Sequence, residues 1–298
     1  MKTLAEKLSS RAGSLAAVLI AMLWTLPTAG LFVNSLRPPE DVTSTGWWTV
    51  ASEPAFTLET YNYVLYSDRS GGGLANYFVN SLVIAVPSVL LPIAIGCMAA
   101  YAIAWIRFKG RLVLFVAIFA LQIVPLQMVI VPLLKMFSEG VQVGGVTLMP
   151  GWGLDGFERY VQIWVAHTVF GLPLVVFLMH NFIREIPGEV VEAARVDGAG
   201  HVQIFRKVVV PLAAPAIASI GIFQFLWVWN DYLVGLVFGG GPATNPLTVA
   251  LANLVGATGD NWARLPAAAF VSIIVPLSVF LFLQKYFVRG LLAGSVKG

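Results

Sequence analysis

The stretch that decides the fold is SLVIAVPSVLLPIAIGCMAAYAIAWI, residues 81–106, which contains no charged side chain. The hydrocarbon core of a bilayer is about 30 Å thick, so a helix needs about 20 mostly apolar residues to cross it. A helix also satisfies its own backbone hydrogen bonds, because no water is available for them inside the bilayer. The stretch therefore predicts a transmembrane helix.

Five further runs of similar length and apolarity accompany this one. We therefore expect an all-α integral membrane protein with six transmembrane helices. The first run follows Lys2, Lys7 and Arg11, as in a secretory signal peptide, but its length exceeds that of a typical signal and favours a retained anchor. The five runs are 15–36, 112–137, 162–183, 213–238 and 267–287.

The composition excludes most soluble classes of protein. Hydrophobic residues make up 58% of the 298 residues, charged residues only 11%, and the mean hydropathy is +0.83. Soluble domains carry about 25% charged residues, so a soluble enzyme is nearly excluded. The net charge of +3 does not indicate nucleic-acid binding, because the cations are not clustered. The single cysteine, Cys97, excludes an internal disulfide, and the three histidines lack metal-site spacing.

The distribution of Lys and Arg predicts which side of the membrane each segment occupies. If the N-terminus is cytoplasmic, the cytoplasmic segments contain 13 of the 18 Lys and Arg residues. We therefore expect both termini in the cytoplasm. The outer segments then hold the other cations, which are Arg37, Arg69, Lys135, Arg159 and Arg264.

The loop between the fourth and fifth spans, IPGEVVEAARVDGAG at 186–200, is typical of a helical hairpin. Pro187 suits the first turn of a helix, and two acids near that end complement the helix dipole. Gly198 stands where the helix has to stop, because glycine tolerates a left-handed cap. We expect a second short helix at 202–210, with Pro211 opening the fifth span. Helix physics alone leaves open whether the hairpin is a solvated surface or a docking site.

The same loop resembles the EAA loop of the membrane subunits of ABC importers. It reads EAA at 192–194, three residues, Gly198, nine residues, and VVVP at 208–211. The family pattern has Ile and Leu where this chain has Val208 and Val210, so both the spacing and the apolar character are kept. The resemblance implies the type I ABC importer permease fold, with this loop as a cytoplasmic coupling helix that docks on an ATP-hydrolysing subunit.

The resemblance also divides the chain. It implies a cytoplasmic N-terminal tail at 1–14, a six-span permease domain at 15–288 that contains the coupling loop at 184–211, and a cytoplasmic C-terminal tail at 289–298. The residues that it assigns to coupling with the ATPase are Glu189, Glu192, Ala193, Ala194, Asp197 and Gly198.

Two other stretches indicate a branch of the family. The ending QKYFVRGLLAGSVKG at 284–298 resembles that of the smaller permease subunit of maltose-type importers, which take up carbohydrates. The run LQIVPLQM at 121–128 is similar to that of permeases for glucose or α-glucosides. The resemblance implies ATP-driven import of a mono- or oligosaccharide, with a non-sugar solute such as glycerol phosphate as an alternative.

The family implies several partners for this chain. They are a paralogous larger permease, a dimer of ATP-binding subunits, an extracytoplasmic solute-binding protein, the sugar, and the lipid of a bacterial or archaeal plasma membrane, with no nucleic acid. The chain has no Gly-x-x-x-x-Gly-Lys-Ser/Thr phosphate loop, since no Lys follows the glycines at 239–241. We therefore expect no catalytic residue and no cofactor in this chain, with ATP and Mg²⁺ bound by the partner subunits.

Polar side chains inside spans are costly in lipid, so they usually face a cavity or another helix. Asn230 and Asp231 stand close to Trp227, and sugar sites combine aromatic faces with amide and carboxylate groups. An interfacial aromatic belt or a helix-to-helix contact would use the same residues. The candidate translocation path consists of Gln122, Gln127, Gln224, Trp227, Asn230 and Asp231.

The outer segment at 239–264 lies where this family places a loop that reaches into the binding protein. Its glycines and the Asn-Pro pair at 245–246 fit a protruding turn, and they fit an ordinary connector equally well. The candidate contacts with the binding protein are Gly240, Gly241 and Asn245.

Two other functional classes compete with an ATP-driven importer. An ion-gradient-driven secondary transporter or channel usually needs ionisable groups near mid-membrane, whereas Lys135 and Asp231 lie towards the outer ends of their spans. An intramembrane enzyme needs a nucleophile with a base, and no Ser/His, Cys/His or paired-carboxylate arrangement stands out. The sequence therefore favours the importer.

Overall fold

The computed structural model describes residues 4–66, 73–153, 155–255 and 262–295. Helices dominate it, and the only strands in the described ranges form one short hairpin. In chain order the elements are α1 (Leu4–Ser35), α2 (Pro39–Ser44), a 3-10 turn (Trp47–Ala51), α3 (Glu59–Tyr66), α4 (Leu74–Trp105), α5 (Arg111–Leu121), α6 (Leu126–Glu139), β1 (Val141–Val143), β2 (Val146–Met149), α7 (Phe157–Arg184), α8 (Gly188–Val196), α9 (His201–Ile204), a π-helical turn (Phe205–Val209), α10 (Val210–Trp229), α11 (Leu233–Gly239), α12 (Leu247–Val255), a 3-10 turn (Trp262–Arg264) and α13 (Leu265–Ser295).

The predicted spans correspond to long apolar helices. Within the described ranges, five helical segments are long and apolar enough to cross a membrane, and the bent pair α5 and α6 makes up to six if it counts as one span. Each overlaps one of the runs found in the sequence, so the prediction of an all-α membrane protein is confirmed. The five segments are Ala12–Ser35, Leu74–Trp105, Phe157–Arg184, His201–Trp229 and Trp262–Gln284.

The third span, expected at 112–137, consists of two helices with a sharp break between them. Helices α5 and α6 meet at an angle of 100°. Val124 precedes Pro125, and a residue before proline is disfavoured in the α conformation. Pro125 itself is extended, with ψ of 131°, and it donates no backbone hydrogen bond. The helix therefore stops in the turn after α5 and restarts at Leu126.

The fifth span was predicted at 213–238, and these limits are wrong. The helix begins at His201, passes through Pro211 without a break and ends at Trp229. The π-helical turn directly before the proline widens the backbone, which makes room for a ring that would clash in a regular α-helix. Residues 230–232 then separate this span from the short helix α11.

The chain forms two compact units, of which the first comprises Met1–Ala75 and Leu251–Ile273. Its polar centre is Arg37, which is only 4% exposed and donates to Asn34 Oδ1 at 3.0 Å and to the hydroxyls of Thr45 and Thr49. The guanidinium of Arg264 lies 3.7 Å from the centre of the Tyr63 ring, a cation–π contact. These cations are thus held by side chains of their own unit.

The second unit comprises Asn76–Ala250 and Ile274–Gly298. Its apolar core joins α4, α7, α8 and α10 in one continuous cluster. Helices α4 and α7 come very close at Gly96, where an added Cβ would lie 2.5 Å from Cγ1 of Val175. Small residues permit such close approach of membrane helices.

A β-hairpin that the sequence analysis missed follows α6. Val143 pairs with Val146 across a turn formed by Gly144 and Gly145, both with positive φ. A type I′ hairpin turn requires two central residues with φ > 0, which glycine adopts readily. The Gly-Gly pair in the sequence could therefore have indicated this hairpin.

Candidate functional site

The loop at 184–211 forms the helical hairpin expected from the sequence. Helix α8 begins directly after Pro187. Gly198 follows its end with φ of +82°, and the N–H of Ala199 donates to the carbonyl of Ala194 at 2.9 Å. This is the left-handed glycine cap that ends many helices. The start and the stop of the predicted helix are confirmed, whereas the separate helix at 202–210 is part of the fifth span.

One face of α8 is open to contact with another protein. Val196 is 87% exposed, and Val202 in the following helix is 69% exposed. Apolar side chains next to charged ones are typical of surfaces that bind a partner. Of the residues assigned to coupling, Glu189, Glu192, Ala193, Asp197 and Gly198 are exposed, and Ala194 is half-buried.

The opposite face of α8 is fixed to the spans by Val191. This side chain is fully buried, and it belongs to the same apolar cluster as Ile183 at the end of α7 and Ile204 in α9. The cluster continues through Ala100 of α4. Val191 therefore joins α8 to the core formed by the ends of three spans.

Two polar contacts reinforce this attachment. The hydroxyl of Tyr101 lies 3.0 Å from Nδ1 of His201, and the ring of Tyr101 packs 5.3 Å from that of Phe205. Arg195 donates to the backbone carbonyl of Trp105 at 3.4 Å. The sequence analysis missed these residues, because the contact joins positions 100 residues apart and has no motif.

A shallow cleft runs along the inner side of the hairpin. Its volume is about 270 Å³, and both Asp197 and Lys207 line it. Within the described ranges, no three His, Cys, Asp or Glu residues are grouped so that they could hold a metal ion. The cleft has a charge of each sign in its lining.

Asp231 follows the fifth span and caps the start of α11. Its Oδ2 accepts hydrogen bonds from the N–H groups of Val234 at 2.8 Å and Gly235 at 3.3 Å, which lie in the first turn of α11. Burial raises the pKa of this carboxyl, and the two backbone N–H groups lower it in part. Asn230 donates to the carbonyl of Leu226 at 2.7 Å. Both side chains therefore form hydrogen bonds with backbone groups close to them in the sequence.

The six candidate path residues lie at three separate places. Gln224 is buried, donates to the carbonyl of Ser88 at 3.4 Å and faces Gly171 across the α7 and α10 contact. Trp227 packs on the ring of His167 at 5.6 Å. Gln122 and Gln127 flank the break between α5 and α6 and are exposed, and Asn230 and Asp231 follow α10.

The first part of the outer segment is a tethered turn. Asn80 donates to the carbonyls of Pro242 at 3.3 Å and Asn245 at 3.0 Å, and Tyr160 donates to Asn80 Oδ1 at 2.7 Å. Asn245 Oδ1 accepts from the N–H of Gly241. Gly240 at the tip is exposed, whereas Asn245 is half-buried. Residues 256–261 of the segment lie outside the described residues.

We expect Asp231→Ala to lower the stability of the assembled transporter by about 1 kcal/mol, because the first turn of α11 loses its cap. Asp231→Asn keeps an acceptor oxygen and is the matched control, for which we expect near-native stability and uptake. Thermal unfolding and the KM of uptake check this. A large loss of uptake in a stable Asp231→Asn transporter would instead assign the carboxylate to solute binding.

The comparisons with known proteins agree on one family. Residues 92–292 match the family described as "Binding-protein-dependent transport system inner membrane component". The chain is 50% identical over 288 residues to the osmoprotective compounds uptake permease protein GgtD of Synechocystis sp., covering 95% of this chain and 91% of the relative. It is 37% identical over an alignment of 378 residues to the alpha-glucoside transport system permease protein AglG of Rhizobium meliloti, covering 95% and 96%.

A solved structure shows the same fold. It belongs to a bacterial ABC transporter involved in the import of the acidic polysaccharide alginate, and its TM-score is 0.70 at 15% sequence identity. The match covers 97% of this chain and 99% of that chain. The resemblance based on the EAA loop is confirmed by these matches. With apolar helices that suit an inner membrane and a fold shared with an ABC importer, this chain belongs to the family of binding-protein-dependent transport system inner membrane components, which are non-catalytic permease subunits.

Proposed function

We propose that this chain is one of two permease subunits of an ATP-driven importer of neutral sugars, with α-glucosides favoured. The observation that carries the proposal is the two-sided character of α8. One face is exposed and carries the EAA residues, whereas Val191 on the other face is buried among the ends of α4, α7 and α9. Such a helix suits the transfer of motion from a separate ATP-binding subunit to the spans.

The proposed coupling is mechanical. ATP-binding subunits would hold the exposed face of α8 through Glu189, Glu192, Ala193, Ala194, Asp197 and Gly198, and ATP and Mg²⁺ would be bound by those subunits. Closure of the ATPase dimer displaces α8, and the packing of Val191 carries the displacement into the spans. A flexible loop would absorb the motion instead.

The remaining partners follow from this arrangement. In the proposed orientation α8 and both termini are cytoplasmic, and the turn that contains Gly240, Gly241 and Asn245 faces an extracytoplasmic solute-binding protein. The many hydrogen bonds that hold this turn suit a fixed contact surface. A larger, related permease would complete the translocation path.

The polarity of the spans supports a neutral solute. Within α4 and α10 there is no charged residue, and the polar groups are amides, hydroxyls, indoles and one thiol, among them Gln224 and Trp227. Sugars are bound by such groups. An anion such as glycerol phosphate would need cationic side chains along its path, which disfavours that alternative.

A second candidate substrate class comes from the relative with 50% identity. Its name states uptake of osmoprotective compounds, whereas the name of the relative with 37% identity states transport of alpha-glucosides. Zwitterionic osmoprotectants such as glycine betaine carry no net charge, so the uncharged spans α4 and α10 suit both classes. The two classes overlap when the osmoprotectant is itself a glycoside.

A calorimetric titration tests the substrate. The tagged chain is purified with its partner subunits and its solute-binding protein, and that protein is titrated with α-glucosides, with glycine betaine and with glycerol phosphate. We expect α-glucosides to bind with a Kd in the micromolar range and glycerol phosphate not to bind.

Reconstituted vesicles supply the control. Uptake by the complete complex is expected to require ATP, the binding protein and the α-glucoside together. If the solute-binding protein bound betaine and no sugar, the substrate would be a zwitterionic osmoprotectant and the proposal of a sugar would be wrong. Uptake by the isolated chain in an ion gradient would contradict the whole proposal.

A further inference from the structure

A second cavity lies beside the hairpin, where α4 ends, α5 begins and α7 ends. Its volume is about 340 Å³. Its lining comes from the ends of α4 and α7 and the start of α5, so in the proposed orientation it lies near the cytoplasmic surface of the membrane. Its lining consists of Ile103, Ala104, Arg111, Leu112, Phe115, His180 and Arg184.

The cavity is positively charged and its cations are unpaired. Arg111 and Arg184 both line it and are exposed. Within the described residues, neither guanidinium has a carboxylate within 4.0 Å. The ion pair in this part of the chain joins Lys135 to Glu139. Both guanidinium groups are close enough to His180 to interact electrostatically with its ring.

The backbone adds further donors to the cavity. Arg111 is the first residue of α5, and Gly110 before it provides no side-chain cap. The first N–H groups of a helix lack intrahelical partners, and together with the helix dipole they favour an anion.

His180 forms part of the cavity wall. It is 8% exposed, and its Nδ1 is shielded from solvent. Its ring is held 4.2 Å from that of Phe115. The two arginines are therefore the groups that an anion in the cavity would contact.

The walls next to the cations are apolar and face outwards. Leu112 is 69% exposed and Val113 is 73% exposed, both on the first turn of α5. In a membrane protein such side chains lie against acyl chains. An anion bound here would therefore have hydrocarbon directly beside it, which is the chemistry of a lipid and differs from that of a soluble phosphate.

We propose that this cavity binds the phosphate of an anionic phospholipid, with Arg111 and Arg184 contacting the phosphate oxygens. The acyl chains would lie along Leu112 and Val113. Basic pockets between spans near the membrane surface bind lipid headgroups in this way. The lipid would bridge α5 and α7 next to the coupling hairpin, so anionic lipid content would affect transport.

The test uses the assembled transporter in a neutral detergent. Its thermal unfolding is followed during titration with dihexanoyl phosphatidylglycerol, with dihexanoyl phosphatidylcholine and with inorganic phosphate. We expect stabilisation by phosphatidylglycerol alone. In the double variant Arg111→Gln, Arg184→Gln, the apparent affinity for phosphatidylglycerol falls at least about 10-fold.

Two further variants make the result specific. Arg107→Gln with Lys109→Gln removes the same charge from the adjacent turn, outside the cavity lining, and is expected to change the affinity by less than about 2-fold. Arg111→Lys with Arg184→Lys keeps the charge and retains most of the binding. Co-elution with the partner subunits on gel filtration shows that each variant is folded.

Three outcomes would overturn the proposal. Equal stabilisation by phosphatidylcholine would remove the role of charge. Equal binding of inorganic phosphate would make the cavity a free-anion site. Unchanged phosphatidylglycerol binding in the double glutamine variant would place the lipid elsewhere. The identity of the imported solute does not enter this test, so the substrate proposal fails or holds independently.

Discussion

Gly198→Val is expected to abolish solute uptake while the protein still inserts into the membrane. Gly198 has φ of +82°, a conformation that costs an L-residue about 1–2 kcal/mol and a β-branched residue more. A Cβ at this position meets no atom within 4 Å, so the effect comes from the backbone and not from a clash. The cap would open and change the direction in which α8 is presented to the ATPase.

Gly200→Ala is the matched control for this variant. Gly200 lies in the same turn and is equally open, but its φ is −73°, which any residue adopts. Uptake and ATP hydrolysis are measured together in proteoliposomes with the complete complex. We expect Gly200→Ala to behave as the native protein, and Gly198→Val to hydrolyse ATP at a rate that no longer depends on solute. Normal uptake by Gly198→Val would count heavily against α8 as the coupling helix.

The second large effect is expected at the crossing of α4 and α7. Gly96→Ala places a Cβ 2.5 Å from Cγ1 of Val175, so one helix has to move away from the other. Overpacking of this kind costs about 1–3 kcal/mol. We expect the melting temperature of the purified complex to fall by at least about 2 °C, with a lower yield of assembled transporter.

Gly221→Ala tests whether the loss comes from the crossing itself. Gly221 lies in the apolar helix α10, and a Cβ there would meet only Cδ1 of Ile93, at an ordinary contact distance of 3.6 Å. This variant is expected to keep the native melting temperature, because the same chemical change creates no overlap. Equal destabilisation by both variants would contradict overlap at the crossing as the cause, because the higher helix propensity of alanine would by itself stabilise either helix.

Much of the fold could be predicted because the signals are local. The uncharged run at 81–106 predicts a span by its length alone, and Pro187 and Gly198 mark the two ends of α8 by their backbone preferences. The spacing from the EAA residues to Pro211 indicated the family before any contact was known. In each case one short segment contains the whole physical cause.

The errors share a different cause. Pro125 is a local signal for a bend in the third span, but the sequence does not give the angle of 100° between α5 and α6. Pro211 was expected to begin a helix, whereas the π-helical turn before it lets the helix continue. Asp231 was grouped with Trp227 by proximity in sequence, although its carboxylate is engaged with the N–H groups of α11.

By itself, the sequence determined that this chain crosses a membrane several times and carries a hairpin of the ABC importer type, because hydropathy and backbone preference act within a few turns of helix. Tertiary structure alone decided that Val191 fixes the hairpin to three spans, that Tyr101 meets His201, and that Arg111, Arg184 and His180 surround one cavity. These groups come from distant segments, and packing in three dimensions is what brings them together.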